Sequence, residues 1–243
     1  MFGSKTLNFA HRGFTASAPE NSLAAFKAAM ELGVDGIELD TRLCKSGELV
    51  VFHDPTLKRM TNGRGFIKNK TLAELRELRL KYADAPSEER IPTLEEVVAT
   101  AKSNLLLNIE IKANGLPKDH VESEVVNLVR RCGIADQTII SSFNPVIIRR
   151  INKLDSALMT GYLVDKNFRF RNSEIPLTKF IGASAIHLEH SLVKDKLIAK
   201  MRDLNYYVAV WTVNDPEEMR RLIHLGVHAI ITDRPNVLKE MGV

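Results

Sequence analysis

The feature that most restricts the fold of this 243-residue chain is a rhythm in which short β-rich runs alternate with helical patterns from end to end. The runs are LNFAH (7–11), DGIELDTRL (35–43), ELVVFHD (48–54), LLLNIEIK (105–112), QTIISSF (137–143), ALMTGYLV (157–164), SAIHLEH (184–190), YYVAVWTV (206–213) and HAIITD (228–233). Strands that alternate with helices return in the same direction, so the rhythm predicts a parallel sheet covered by helices. The helices carry end signals. PENSLAAFKAAMELG brings Leu23, Phe26 and Met30 onto one face and stops at Gly33, which suits a left-handed C-cap. Thr93 with Glu96, and Thr71 with Glu74, have the spacing of capping boxes. Asp215 reads as an N-cap with Pro216 at the first helical position.

Nine runs are one more than a closed eight-stranded barrel needs. An α/β fold of the (β/α)8 TIM-type barrel class, distorted and with one run outside the count, fits best. An open doubly wound sheet shares the rhythm, but no G-x-G-x-x-G follows the first run and no Walker-type glycine loop is present. The link from Leu43 to Glu48 is too short for a crossover helix. That leaves either a hairpin or two parallel strands joined by a tight loop. The chain reads as one barrel domain, 1–243, with an insertion at 55–92 built from TNGRG turn material, a helical TLAELRELRLKY and the loop ADAPSEERIP. It follows a strand, so it is expected to cover the face where barrels build their sites.

Composition narrows the partners. The net charge is +4, but Lys and Arg are scattered among Asp and Glu instead of forming a basic stripe. With no helix-turn-helix signature or zinc-finger spacing, no nucleic-acid partner is expected. No apolar run approaches the length of a membrane helix and the N-terminus lacks a leader pattern, so stable membrane insertion is not expected and the setting reads as soluble and cytoplasmic. Cys44 and Cys132 read as reduced packing residues. The sequence leaves the oligomeric state open.

Strand period singles out the chemistry. In GIELDT, Ile37 and Leu39 share one face while Glu38 and Asp40 share the other; in LNIEIK, Asn108, Glu110 and Lys112 oppose Ile109 and Ile111. A strand buried on both sides would be apolar on both, so the polar faces point to a lumen or its rim. Two carboxylates two residues apart on a strand repel by roughly 2 to 3 kcal/mol at an effective dielectric near 20, and a third makes the site worse unless a cation is present. Three oxygen donors without cysteine favour a hard divalent cation, Mg²⁺ or Ca²⁺. Pairing of the acids with Arg42 and Lys112 would be the purely structural alternative. His11 and His53 end the first and third runs, where a base and an acid could stand, and Arg12 and Lys112 carry the charge to hold a phosphoryl group. Metal-assisted displacement at phosphorus is the chemistry implied.

The motifs HRG (11–13), PEN (19–21), ELD (38–40), HD (53–54), EIK (110–112), SSF (141–143), WTVN (211–214) and TDRP (232–235), in this order, resemble the signature of the glycerophosphodiester phosphodiesterases. Ser22 stands where that family often has Thr. The resemblance implies a phosphatidylinositol-phosphodiesterase-like barrel that hydrolyses glycerophosphodiesters, its small-molecule substrates, to glycerol 3-phosphate and an alcohol. Carried over by position, Glu38, Asp40 and Glu110 would bind the divalent cation, His11 and His53 would be general acid and base, and Arg12 and Lys112 would bind phosphate. Glu20, Asn21 and Asp54 would stand behind these groups, and Phe143 and Trp211 could wall the substrate's glycerol or alcohol. Alternatives are the same barrel acting on lysophospholipids or cyclic phosphodiesters, and a silent barrel that only binds a phosphoester. Asp233 reads as a loop anchor or helix cap, His187 as structural, and His228 as a surface residue.

Overall fold

The computed structural model describes residues 5–101, 105–113, 119–167 and 174–243, so Lys102, at the end of the helical TLEEVVATAK run, lies outside the described residues. In chain order the strands are β1 (Leu7–His11), β2 (Gly36–Leu43), β3 (Leu49–Val51), β4 (Lys81–Tyr82), β5 (Ala85–Pro86) and β6 (Leu106–Ile111). They continue as β7 (Thr138–Ser142), β8 (Met159–Val164), β9 (Ala185–Glu189), β10 (Tyr207–Trp211) and β11 (Ala229–Thr232). The helices are α1 (Leu23–Leu32), α2 (Leu72–Arg76), α3 (Leu94–Thr100), α4 (Val121–Arg131) and α5 (Pro145–Leu154), then α6 (Glu174–Ile181), α7 (Asp195–Asp203), α8 (Pro216–His224) and α9 (Pro235–Glu240). Among the described residues no helix is long and apolar enough to cross a membrane.

Eight of the strands are parallel neighbours in the order β1, β2, β6, β7, β8, β9, β10, β11, and β11 pairs back onto β1 to close a (β/α)8 barrel. Closure excludes the open sheet. The extra run is β3, which lies antiparallel to β2 with Thr41 opposite Val51 and Leu43 opposite Leu49. The two halves of residues 37–54 are therefore a hairpin, turned where the Cys44 N–H reaches the Glu48 carbonyl at 3.0 Å. The third strand ends at Val51, short of the 48–54 run, because Phe52 donates to the Asp40 carbonyl and Arg42 to the His53 carbonyl. These bonds bend the chain across the barrel mouth.

Side chains alternate as the period requires. Ile37, Leu39, Leu107 and Ile109 face outward into a core shared with Phe26 of α1 and Ile147 of α5. A second outer core joins Ile186, Val208 and Ile230 to Met201 and Leu222. Phe9, Ile139, Ala185, Tyr207, Ala229 and Ile231 fill the lower interior. Each buried branched side chain contributes about 1.5 to 3 kcal/mol of apolar transfer, so the barrel is a filled core rather than a pore.

The insertion departs from its sequence pattern. Helix α2 stops at Arg76, although the leucine spacing of TLAELRELRLKY continues to Tyr82. Leu80 donates to the Glu89 carbonyl and Lys81 to the Met60 carbonyl, which pulls the chain extended into the β4–β5 hairpin. Leu75 and Leu80 are instead buried with Phe52, Leu57, Ile67 and Ile91 in a small separate core, and Leu72 and Leu78 pack against it. Both cysteines are free. His228 is half-buried rather than a surface residue: its ring accepts the Val208 N–H at 3.1 Å and lies against Tyr207.

His187 is the one interior histidine of the lower barrel among the described residues, 1% exposed and without a hydrogen-bond partner on either ring nitrogen. Gly161 makes the space for it, since a Cβ there would stand 2.6 Å from His187 Nε2. Burial pushes the imidazole down to about 4. Folding therefore holds the ring neutral, and the stability it allows is complete above about pH 6.5 and is lost as the pH falls towards 4, because the unfolded chain takes the proton first. Denaturant titrations at pH 7 and pH 5 should show wild type losing about 2 kcal/mol more between the two than His187→Leu. Equal losses in the two proteins would contradict this account.

Candidate functional site

Strand register assembles the site. The β1–β2 pairing places His11 beside Glu38, and the β2–β6 pairing places Glu38 beside Asn108 and Asp40 beside Glu110. Adjacent strands lie about 4.8 Å apart, and these residues share the inward face, so the three carboxylates converge. Glu38, Asp40 and Glu110 are buried, and one oxygen from each lies within 4.8 Å of the others.

Two cations answer them. At the end of β1, Arg12 and Gly13 both take left-handed backbone, at φ 57° and 87°. A Cβ on Gly13 would meet the Ala25 backbone at 2.7 Å, so the turn can pack on α1 only as glycine. That turn aims Arg12 inward, with Nε 3.3 Å from Asp40 Oδ2 and Nη1 2.9 Å from Glu20 Oε1. Lys112, just beyond β6, puts Nζ 3.0 Å from Asp40 Oδ1 and 2.6 Å from Glu110 Oε1. Asn21, also left-handed, donates to Asp40 Oδ2 at 2.8 Å and accepts the Asp40 N–H. Burial opposes the Asp40 carboxylate, but Lys112 and then Arg12 hold it ionised well below the usual range. Glu38 is raised by burial and next by the Asp40 charge, and Glu110 by burial against the opposing pull of Lys112. Ionised together, three acids facing two cations would leave one negative charge uncompensated inside a cluster of oxygen donors, which adds to burial in pushing Glu38 and Glu110 up when no further cation is beside them. This donor set fits a hard divalent cation. Arg42, the sequence's alternative partner for these acids, is turned away to the His53 carbonyl.

Each histidine is held from behind by an aspartate. His11 Nδ1 is 2.6 Å from Asp233 Oδ1, and His53 Nδ1 is 2.7 Å from Asp54 Oδ1. A carboxylate can only accept, so each ring carries its proton on Nδ1 and leaves Nε2 for the site. Nε2 of His11 stands 3.9 Å from Glu38. Burial opposes the charged form of His11, but the Asp233 bond and the Glu38 charge prevail and raise it. His53 is lowered, first by burial, with Lys112 and Arg12 adding to the effect.

The remaining groups sort by contact. Glu20 lies with Arg12 and Arg59 rather than among the three clustered carboxylates. Phe143 is 38% exposed, so it is a rim residue, not a core one, and it meets Trp211 edge to face at 5.4 Å with Lys112 Nζ 5.8 Å from its ring. Trp211 Nε1 donates to the His187 carbonyl. Asp233 caps no helix, since Arg234 holds the N-cap position of α9; it anchors His11 and is itself fixed by Asn214 Nδ2 at 2.6 Å. Sequence reasoning passed over Asn214 and Arg59. Asn214 belongs to the WTVN motif, so that signal was present, whereas nothing in KRMTNGRG separates Arg59 from any surface arginine.

The family model described as the glycerophosphoryl diester phosphodiesterase family matches residues 11–237. The chain is 38% identical over 237 residues to a glycerophosphodiester phosphodiesterase of Caldanaerobacter subterraneus subsp. tengcongensis, covering 96% of each. It superposes on an Oleispira antarctica phosphodiesterase solved in complex with the product sn-glycerol-3-phosphate, with TM-score 0.89, 27% identity and coverage of 97% and 96%. A glycerophosphodiester phosphodiesterase from Thermotoga maritima aligns with TM-score 0.81 and 28% identity over 97% of this chain and 98% of its own.

A cation held by the native carboxylates adds stability by mass action, about 2.7 kcal/mol at a hundredfold excess over its dissociation constant. Thermal melts should rise with added Mg²⁺ or Ca²⁺ in the wild type and fall back with chelator, while Glu110→Gln should show little response. A wild-type melting temperature indifferent to every divalent ion would count against cation binding at Glu38, Asp40 and Glu110.

Proposed function

Because this chain belongs to the glycerophosphoryl diester phosphodiesterase family, we propose that it hydrolyses glycerophosphodiesters to glycerol 3-phosphate and an alcohol in a divalent-cation-dependent reaction. What carries this reading is the pairing of two aspartate-held histidines with three buried carboxylates flanked by Arg12 and Lys112. The glycerol-3-phosphate complex of the Oleispira antarctica relative supports the product.

Glu38, Asp40 and Glu110 would hold the cation, which when bound supplies Lewis-acid stabilisation of charge on the phosphoryl oxygens. Arg12 and Lys112 bind those oxygens. Lys112 has three donors and Arg12 five, so contacts with Asp40, Glu110 and Glu20 leave each with donors for substrate. One histidine, neutral at the outset, takes the proton of the attacking water through Nε2 as the new P–O bond forms. The other, protonated at the outset, gives its Nε2 proton to the departing alcohol oxygen as the old P–O bond breaks, and Asp54 and Asp233 steady whichever ring is in its imidazolium form. Phe143 and Trp211 offer the glycerol or alcohol an aromatic wall. A lysophospholipid would need an apolar entrance, yet the leucines of the insertion pack inward on their own small core. Water-soluble head groups therefore fit better.

Release of glycerol 3-phosphate from a panel of glycerophosphodiesters, with and without chelator, tests the proposal. Turnover should require a divalent ion, and His11→Ala or His53→Ala should lower kcat by about 10² to 10⁴. Asp233→Asn should lower it by about 10 to 100, through loss of the His11 orientation. Absence of product with every divalent ion tried, or full turnover in His11→Ala, would sink the reading.

A further inference from the structure

We propose that Arg59, delivered by the insertion, is a positioning residue that sets Arg12 and His53 at once; this rests on the phosphodiesterase reading above. Its guanidinium binds two carboxylates side by side. Nη1 and Nη2 reach Glu20 Oε2 and Oε1 at 2.8 and 2.7 Å, while Nε and Nη2 reach Asp54 Oδ2 and Oδ1 at 2.6 and 3.0 Å. Each of those carboxylates has a second partner at the site. Glu20 Oε1 also accepts from Arg12 Nη1 at 2.9 Å, and Asp54 Oδ1 is the atom that holds His53 Nδ1. A continuous chain of charge-assisted contacts thus runs from His53 through Asp54, Arg59, Glu20 and Arg12 to Asp40.

Surface ion pairs contribute little when each end is free to move, but bidentate networks on a fixed backbone are the exception. The backbone under Arg59 is fixed. Leu57 is buried in the insertion's own core, and its carbonyl accepts from both the N–H and the hydroxyl of Thr61, at 3.0 and 2.8 Å. Met60 is bonded through its carbonyl to Lys81. With Arg59 at neither carboxylate, Glu20 and Asp54 would repel and turn outward, and Arg12 and His53 would lose their supports together. A lysine could neutralise that charge but could not grip both carboxylates in one plane. The insertion's small core thereby gains a function, to present one guanidinium at the site.

The test compares metal-loaded wild type, Arg59→Gln and Arg59→Lys. Both variants should lose about 10- to 100-fold in kcat, with melting temperatures within about 3 °C of wild type. In proton NMR spectra the downfield Nδ1–H signal of His53 should shift or broaden in both, while that of His11, held by Asp233, stays in place. An Arg59→Gln kcat within about twofold of wild type, an unmoved His53 signal, a lysine variant with full turnover, or a melting-temperature fall large enough to explain the lost rate overturns the proposal. If wild type turns over no phosphodiester, the reading of function has failed instead, and the His53 signal alone then decides the role of Arg59.

Discussion

The structure turns on the burial of like charges. Register between β1, β2 and β6 brings Glu38, Asp40 and Glu110 within reach of one another on the inner wall of a barrel, where water cannot screen them. Such an arrangement is costly unless opposite charge is built in beside it. Arg12 and Lys112 supply two of the three charges needed, and both are fixed by backbone: one by a left-handed turn packed on α1, the other by its place directly after β6. The deficit of one positive charge is the physical reason the cluster suits a cation.

Around that centre the same device recurs at lower charge density. His11 leans on Asp233, just past β11 and fixed by Asn214 from the loop after β10, and His53 leans on Asp54, which Arg59 of the insertion grips. The two imidazoles are alike in hydrogen bonding and unlike in electrostatic surroundings. Burial opposes the charged form of both rings; at His11 the Asp233 bond and the Glu38 charge outweigh it, whereas at His53 Lys112 and Arg12 add to it, so the pKa values move in opposite directions. The lower barrel is apolar apart from groups such as His187 and Asn108, so the charged mouth rests on a packed floor.

Much of this was legible from short-range pattern. Alternation in GIELDT and LNIEIK identified the inward carboxylates, since period 2 is a property of the extended backbone whatever the strand pairs with. Thr71 and Thr93 formed the capping boxes their spacing implied, and Asp215 capped α8. Where distant contacts compete with local preference, pattern failed. The leucines after Arg76 continue a helical spacing, but the backbone bonds that Leu80 and Lys81 donate to the Glu89 and Met60 carbonyls draw them into extended structure. Aromatic type alone does not separate rim from core at Phe143, and the tertiary structure leaves it exposed at the barrel rim.

By itself the sequence determined the alternating α/β class, the polar inner faces, and the identity of the acids, histidines and cations, because each depends on residue type and on spacing within one element. Only the tertiary structure decided barrel closure, the hairpin between β2 and β3, and the partners Asp233 and Arg59. Those depend on which elements become neighbours across the chain, as when β11 closes on β1 and carries Asp233 to His11, 222 residues away. Long-range pairing is set by packing of the whole, and no local window of residues contains it.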